Sequence, residues 1–125
     1  MCIKVDKSHI MNQFNQTDMN NVSTTRVSSY LSYLESENTT VLMVCDETMT
    51  KWSVHALEQA DVILVVLNFA EKNKEPVGIE HKIIEMKFKT TREVVFLHSH
   101  MTKRIENTNQ WLKLRRGYHM HFHIR

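Results

Sequence analysis

Val62-Ile63-Leu64-Val65-Val66-Leu67 is an unbroken apolar run, closed by Asp61 before it and Asn68 after it. A run this short, rich in β-branched residues and bounded by polar ones, reads as a strand buried on both faces. Such strands belong to parallel sheets, whose long crossovers are usually helices laid over the sheet. The pattern recurs in Val41-Leu42-Met43-Val44-Cys45 and Val94-Val95-Phe96-Leu97, and His119 to Ile124 follows as an alternating segment. The chain is therefore constrained to an α/β class, provided helices stand between these runs.

Helical spacing is present at each required place. Val27, Tyr30, Leu31 and Leu34 fall at i, i+3, i+4 and i+7, with Ser23 or Thr24 placed to cap. Trp52, Ala56 and Ala60 repeat every four residues, widened by Val54 and Leu57, with Thr50 as the cap. Pro76 suits the first turn of a third helix, whose inner face is Ile79, Ile83 and Met86 with Ile84 and Phe88 alongside. Thr108 caps a fourth, carrying Trp111, Leu112 and Leu114. Arg115 and Arg116 stand in its last turn, where cations complement the helix dipole, and Gly117 takes the left-handed stop. The order is α-β-α-β-α-β-α-β. It predicts a three-layer α/β fold, a mainly parallel sheet of about four strands with helices on both faces and right-handed crossovers. Residues 1–21 are polar and rich in Asn and Gln without clear periodicity, and read as a flexible lead-in to a folded domain over 22–125.

Bulk properties exclude several functions. At 125 residues the chain is one domain at most, and a formal charge of +2 from interspersed charges gives no argument for nucleic acid as a partner. Cys2 and Cys45 are the only cysteines, which suits a reducing compartment better than a disulfide framework. Met1 to Ile10 lacks the apolar stretch of a signal peptide, and Val62 to Leu67 is too short to cross a bilayer. A cytoplasmic, unsecreted chain with at most peripheral membrane contact is expected.

The only glycines are Gly78 and Gly117, and neither lies within two residues of a serine. A Gly-x-Ser-x-Gly nucleophile elbow cannot be written, nor can a Gly-rich phosphate loop. Helix N-termini at Thr50 or Thr108 leave only a weak nucleotide-binding alternative, and no cofactor is implied. His98-Ser99-His100 sets a hydroxyl between imidazoles, but neighbours on an extended chain point to opposite faces, a poor triad geometry. His119, His121 and His123 can share one face of a strand, and with His98 or Asp46 could hold zinc. The plainer reading turns Met120, Phe122 and Ile124 inward and leaves the histidines in water. Arg115, Arg116 and Arg125, with the same histidines, would suit an anionic phospholipid surface, although the helix dipole accounts for two of them. Trp52 and Trp111 read as packing onto the sheet, with ligand stacking as the alternative. Cys45 reads as a small buried apolar residue.

A family pattern runs through these elements. Arg26 to Leu31, Trp52-Ser53, Gln59-Ala60-Asp61 with its strand, Leu97-His98, Trp111-Leu112 with Arg115, and the closing His121-Phe122-His123-Ile124-Arg125 keep their order and spacing. The sequence thereby resembles the neuropathy target esterase family, patatin-like serine lysophospholipases, over residues 24 to 125. Gly78 and Glu85 also match, whereas the acidic positions between them do so only in part. The resemblance implies the second part of a P-loop-like domain that precedes the patatin catalytic domain, incomplete at its first strand or strands. It supplies no counterpart to a catalytic residue. It implies a non-catalytic fragment that positions or regulates a patatin-type catalytic domain, in cis or in trans, in phosphatidylcholine metabolism. In a full-length protein the location would be the cytoplasmic face of the endoplasmic reticulum. A sheet lacking a strand would also expose an edge open to self-association.

Overall fold

The computed structural model describes residues 1–86, 90–99 and 105–125, so that Phe88 and His100 lie outside the described residues. Two compact units are present, residues 1–60 and 61–125. The fold is α/β, and its sheets are parallel, one of two strands and one of three.

The first unit runs β1 (Cys2–Val5), α1 (Lys7–Gln13), a 3-10 turn (Met19–Asn21), α2 (Thr24–Glu37), β2 (Thr40–Met43) and α3 (Lys51–Gln59). The expected flexible lead-in is corrected here. β1 pairs with β2 from Cys2↔Thr40 to Val5↔Met43, and Val5, Ile10 and Met19 join the core with Val22, Val27, Leu31, Leu34, Trp52 and Ala56. Only a few apolar residues in this segment are fully buried, and they are dispersed among amides and hydroxyls, so no periodic signal reaches the eye. β2 is likewise not buried on both faces; exposed and half-buried residues alternate along it.

α2 covers the predicted face, with Val27, Leu31 and Leu34 buried. Ser23 is its N-cap by position, but its hydroxyl makes no capping bond. Thr50 caps α3 as expected, its oxygen accepting from Ser53 N at 3.3 Å and its hydroxyl donating to Asp46 Oδ2 at 2.6 Å. Trp52 is fully buried, and its Nε1 donates to Val44 O at 2.8 Å, fastening α3 to the chain leaving β2. Thr50→Ala should lower stability by about 1 kcal/mol in urea denaturation, while Thr50→Ser, which keeps the oxygen, should stay near wild type.

The second unit runs β3 (Val62–Asn68), α4 (Gly78–Met86), β4 (Thr91–Leu97), α5 (Thr108–Leu112) and β5 (Met120–Ile124), with strand order β3-β4-β5. The register sets Val65 beside Val94, Leu67 beside Phe96, and Phe96 beside His123. One face therefore carries Ile63, Val65, Leu67, Val94, Phe96, His121 and His123. Trp111 of α5 packs on it with Phe69, Leu112 and Tyr118. Glu80 of α4 bonds Arg115 and Tyr118, placing α4 over the same face. Right-handed crossovers advancing in one direction along a sheet deliver their helices to one side.

The opposite face of this sheet is exposed at Val62, Leu64, Val66, Leu97, Met120, Phe122 and Ile124. This differs from the sequence expectation of a β3 buried on both faces: its burial alternates strictly through Val66. It also reverses the expected orientation of β5, because the parity that aligns Phe96 with His123 turns the histidine face toward the helices.

α4 begins at Gly78, whose φ of 58° is left-handed, so Pro76 precedes the helix rather than opening it. Ile83 is buried as predicted, but Met86 is exposed and Glu80 takes an interior place. α5 ends at Leu112, shorter than expected. Asn107 is its N-cap and Thr108 its first residue. Gly117, at φ 88°, makes the turn into β5, and a Cβ there would lie 3.2 Å from an Arg92 guanidinium nitrogen. Among the described residues no helix is long and apolar enough to cross a membrane.

Candidate functional site at the carboxyl edge of the three-stranded sheet

In open α/β sheets, ligands and reacting groups gather beyond the carboxyl ends of the strands. Here that edge is built by Phe69 after β3, His98 after β4, His123 near the end of β5 and Thr108 opening α5. Pairing continues past β4, since His98 N donates to Ile124 O at 2.9 Å. His98 thus falls on the same face as Phe96, two residues earlier. His98 Nε2 and His123 Nδ1 share a hydrogen bond of 2.8 Å, and His123 Nε2 lies 3.4 Å from Thr108 Oγ1.

Aromatic rings enclose the pair. His123 stacks on Phe96 with centroids 5.0 Å apart, His98 leans on Phe69 at 4.6 Å, and Phe69 stacks on Trp111 at 5.8 Å. Burial lowers the affinity of His123 for a proton, and the neighbouring His98, His121 and Arg125 lower it further. His98 Nε2 is engaged by a histidine nitrogen and not by the Ser99 hydroxyl.

Deeper in the same unit lies a charged cluster. Arg115 and Glu80 are both buried, at 3% and 5% exposure. Arg115 Nε and Nη2 each donate to a Glu80 oxygen at 2.8 Å, a two-pronged contact, and Nη1 donates to the carbonyls of Lys74 and Trp111 at 2.7 and 3.1 Å. The Tyr118 hydroxyl donates to Glu80 Oε2 at 2.6 Å. Burial pushes the Tyr118 phenol well above its ordinary range, and Glu80 adds to the effect through the hydrogen bond and its charge. The proton therefore stays on Tyr118 above the pH at which the unfolded chain releases it. That stabilisation is complete below about pH 10 and fades as pH rises further. Arg115 thus ties two crossovers together, and its bond to the Trp111 carbonyl complements the end of α5 from a buried position and not from solvent. Arg116 and Arg125 are exposed.

The remaining sequence candidates scatter. Trp52 and Trp111 are packed side chains, as expected. Gln59 and Ala60 close α3, Asp61 is exposed, and Leu112 is half-buried against the aromatic core. Glu85 forms an exposed ion pair with Lys82 at 3.3 Å. His119 is exposed ahead of β5, and His121 meets His123 edge-on at 5.8 Å. Among the described residues no three His, Cys, Asp or Glu side chains come close enough to hold a metal ion.

At the N-terminus of α3, Asp46 stands where a phosphate would be drawn. Its Oδ2 accepts from Thr50 and pairs with Lys7 at 3.5 Å. A resident carboxylate disfavours an anionic ligand there. Burial raises the pKa of the half-buried Cys45 thiol, with Ser53 opposing and Asp46 adding to the shift.

Glu80 and Tyr118 were not legible as site residues. The available signal was weak: Glu80 lies three residues before Ile83, on the same helical face.

The whole chain, residues 1–125, matches the model of the Neuropathy Target Esterase family P-loop like domain. The chain belongs to that family. Neuropathy target esterase sws of Drosophila mojavensis is 31% identical over 100 residues, and lysophospholipase NTE1 of Candida albicans 32% identical over 102. Each alignment covers 79% of this chain and 7% of the relative, so the chain spans a small part of the curated relatives' length. No solved structure matches. The P-loop-like assignment agrees with the open parallel sheets and extends over the first residues, where the sequence alone suggested a lead-in.

Proposed function

We propose that this P-loop-like domain is a non-catalytic accessory module of a neuropathy-target-esterase-type lysophospholipase, positioning or regulating a patatin-type catalytic domain supplied in cis or in trans. The observation that carries this reading is the use of the two glycines. Gly78 starts α4 and Gly117 makes the turn into β5, both at positive φ. Neither shapes a strand-to-helix turn that could present a nucleophilic serine or cradle a phosphate. The family relatives named as esterase and lysophospholipase supply the chemistry to which such a module would be accessory.

Phospholipid metabolism, a place on the cytoplasmic face of the endoplasmic reticulum and peripheral contact with a phospholipid surface follow from the same reading. Self-association through a free sheet edge belongs to it as well.

The purified chain incubated with lysophosphatidylcholine should release no fatty acid. Turnover that a serine-directed fluorophosphonate abolishes would overturn the non-catalytic assignment. Added to a patatin-type catalytic domain of a relative, the chain should bind and change its hydrolysis rate. No association at tens of micromolar would dispose of the accessory role.

A further inference from the structure

We propose that His98 and His123 form a proton-operated latch, which holds the edge strand β5 against β4 at neutral pH and releases it in mildly acidic surroundings. The inference rests on how their hydrogen bond is made. Nε2 of one ring and Nδ1 of the other stand 2.8 Å apart. A bond between two ring nitrogens needs one donor and one acceptor, so one ring must keep that nitrogen unprotonated. A first proton, entering on a nitrogen outside the bond, leaves it intact. When both rings are charged, both facing nitrogens carry hydrogen and the contact becomes a repulsion.

The surroundings sharpen the response. Among the described residues, His98, His121 and Arg125 act on His123 by their charge, and each opposes a further positive charge. Thr108 on α5 approaches the far nitrogen of His123 without a charge, and the rings of Phe69, Phe96 and Trp111 make up the packed side. Beyond Trp111, Lys74 and Arg115 place their cations over the indole, at 5.9 and 5.3 Å from its centre.

β5 is the element that would give way. It lies at the sheet's edge, and His123 is its one residue that is not exposed. With Met120, Phe122 and Ile124 facing solvent, little apolar burial holds this strand apart from its ladder to β4. Its release would free the edge of β4 for pairing with another strand.

The sign of the pH effect follows from the lowered proton affinity of His123 in the folded state. The latch contributes fully above the ordinary histidine value of 6.5, and its contribution is lost as pH falls below that value through the folded one.

Hydrogen exchange on the intact chain tests this directly. Amide protection in β5, corrected for intrinsic exchange rates, is compared with protection in β3 from about pH 7.5 to about pH 5. The ratio of β5 to β3 protection should fall several-fold on acidification. In His98→Gln, whose side-chain amide can donate to His123 without titrating, the fall should be much shallower, and the His123 C2 proton should titrate at higher pH than in wild type. A wild-type ratio that stays constant across this range overturns the proposal, whether or not the variant folds. An equal fall in wild type and a folded His98→Gln overturns it too.

Discussion

Replacing Arg115 with alanine should cost about 3–5 kcal/mol of stability, the usual penalty for removing one partner of a buried ion pair. The size comes from what remains behind. Glu80 is 5% exposed, and after the substitution its carboxylate would keep, among the described residues, only the Tyr118 hydroxyl of the three side-chain hydrogen bonds it now accepts. The carbonyls of Lys74 and Trp111 would lose their donor at the same time, and the guanidinium would no longer cover the Trp111 ring at 5.3 Å. A double variant, Glu80→Met with Arg115→Met, should be less damaging than Arg115→Ala alone, because it removes both charges and refills the volume. Equilibrium denaturation of the two variants beside wild type measures the difference. A double variant worse than the single would show that the charge pair stabilises beyond the cost of its own desolvation.

The second large effect concerns neighbouring residues of β3. Val65→Asp should unfold the second unit, since its side chain faces the helices beside Val94 and a carboxylate there would be cut off from water. Leu64→Lys, one residue away, should melt within about 0.5 kcal/mol of wild type, because Leu64 stands 52% exposed on the other face. Parallel thermal melts followed by circular dichroism distinguish them. A Val65→Asp protein melting like wild type would mean that the face assignment is wrong. A severe loss from Leu64→Lys would mean the same.

That pair also shows how much of the fold was legible in the sequence. The run Val62 to Leu67 announced a strand without ambiguity, and β4 and α2 were legible for similar reasons: a bounded apolar block or a clean helical stripe. Which side of the strand would be covered was not legible. An unbroken apolar run has no alternation to read, and coverage depends on where the crossovers α4 and α5 fall. β5 posed the converse problem. Its alternation was plain, but two faces of similar size, one histidine and one apolar, compete for the interior. The ring of Phe96 receives His123 in a stack, a choice made by register and aromatic packing that hydrophobicity ranks the other way. β1 escaped notice because a short strand between polar residues has no length for a pattern to develop. Thr50, Trp52, Trp111 and Gly117 were legible because each occupies a position with a local chemical rule of its own. The partnership of Glu80 with Arg115 follows no local rule, since it joins residues 35 apart in the chain.

That same 35-residue reach has a mechanical meaning. The clasp between Glu80 and Arg115 acts as a non-covalent rivet through the helical cover, anchored at one end in α4 and at the other just past α5. A force or a docking partner that displaces α4 would therefore pull on the turn after α5 through this buried pair.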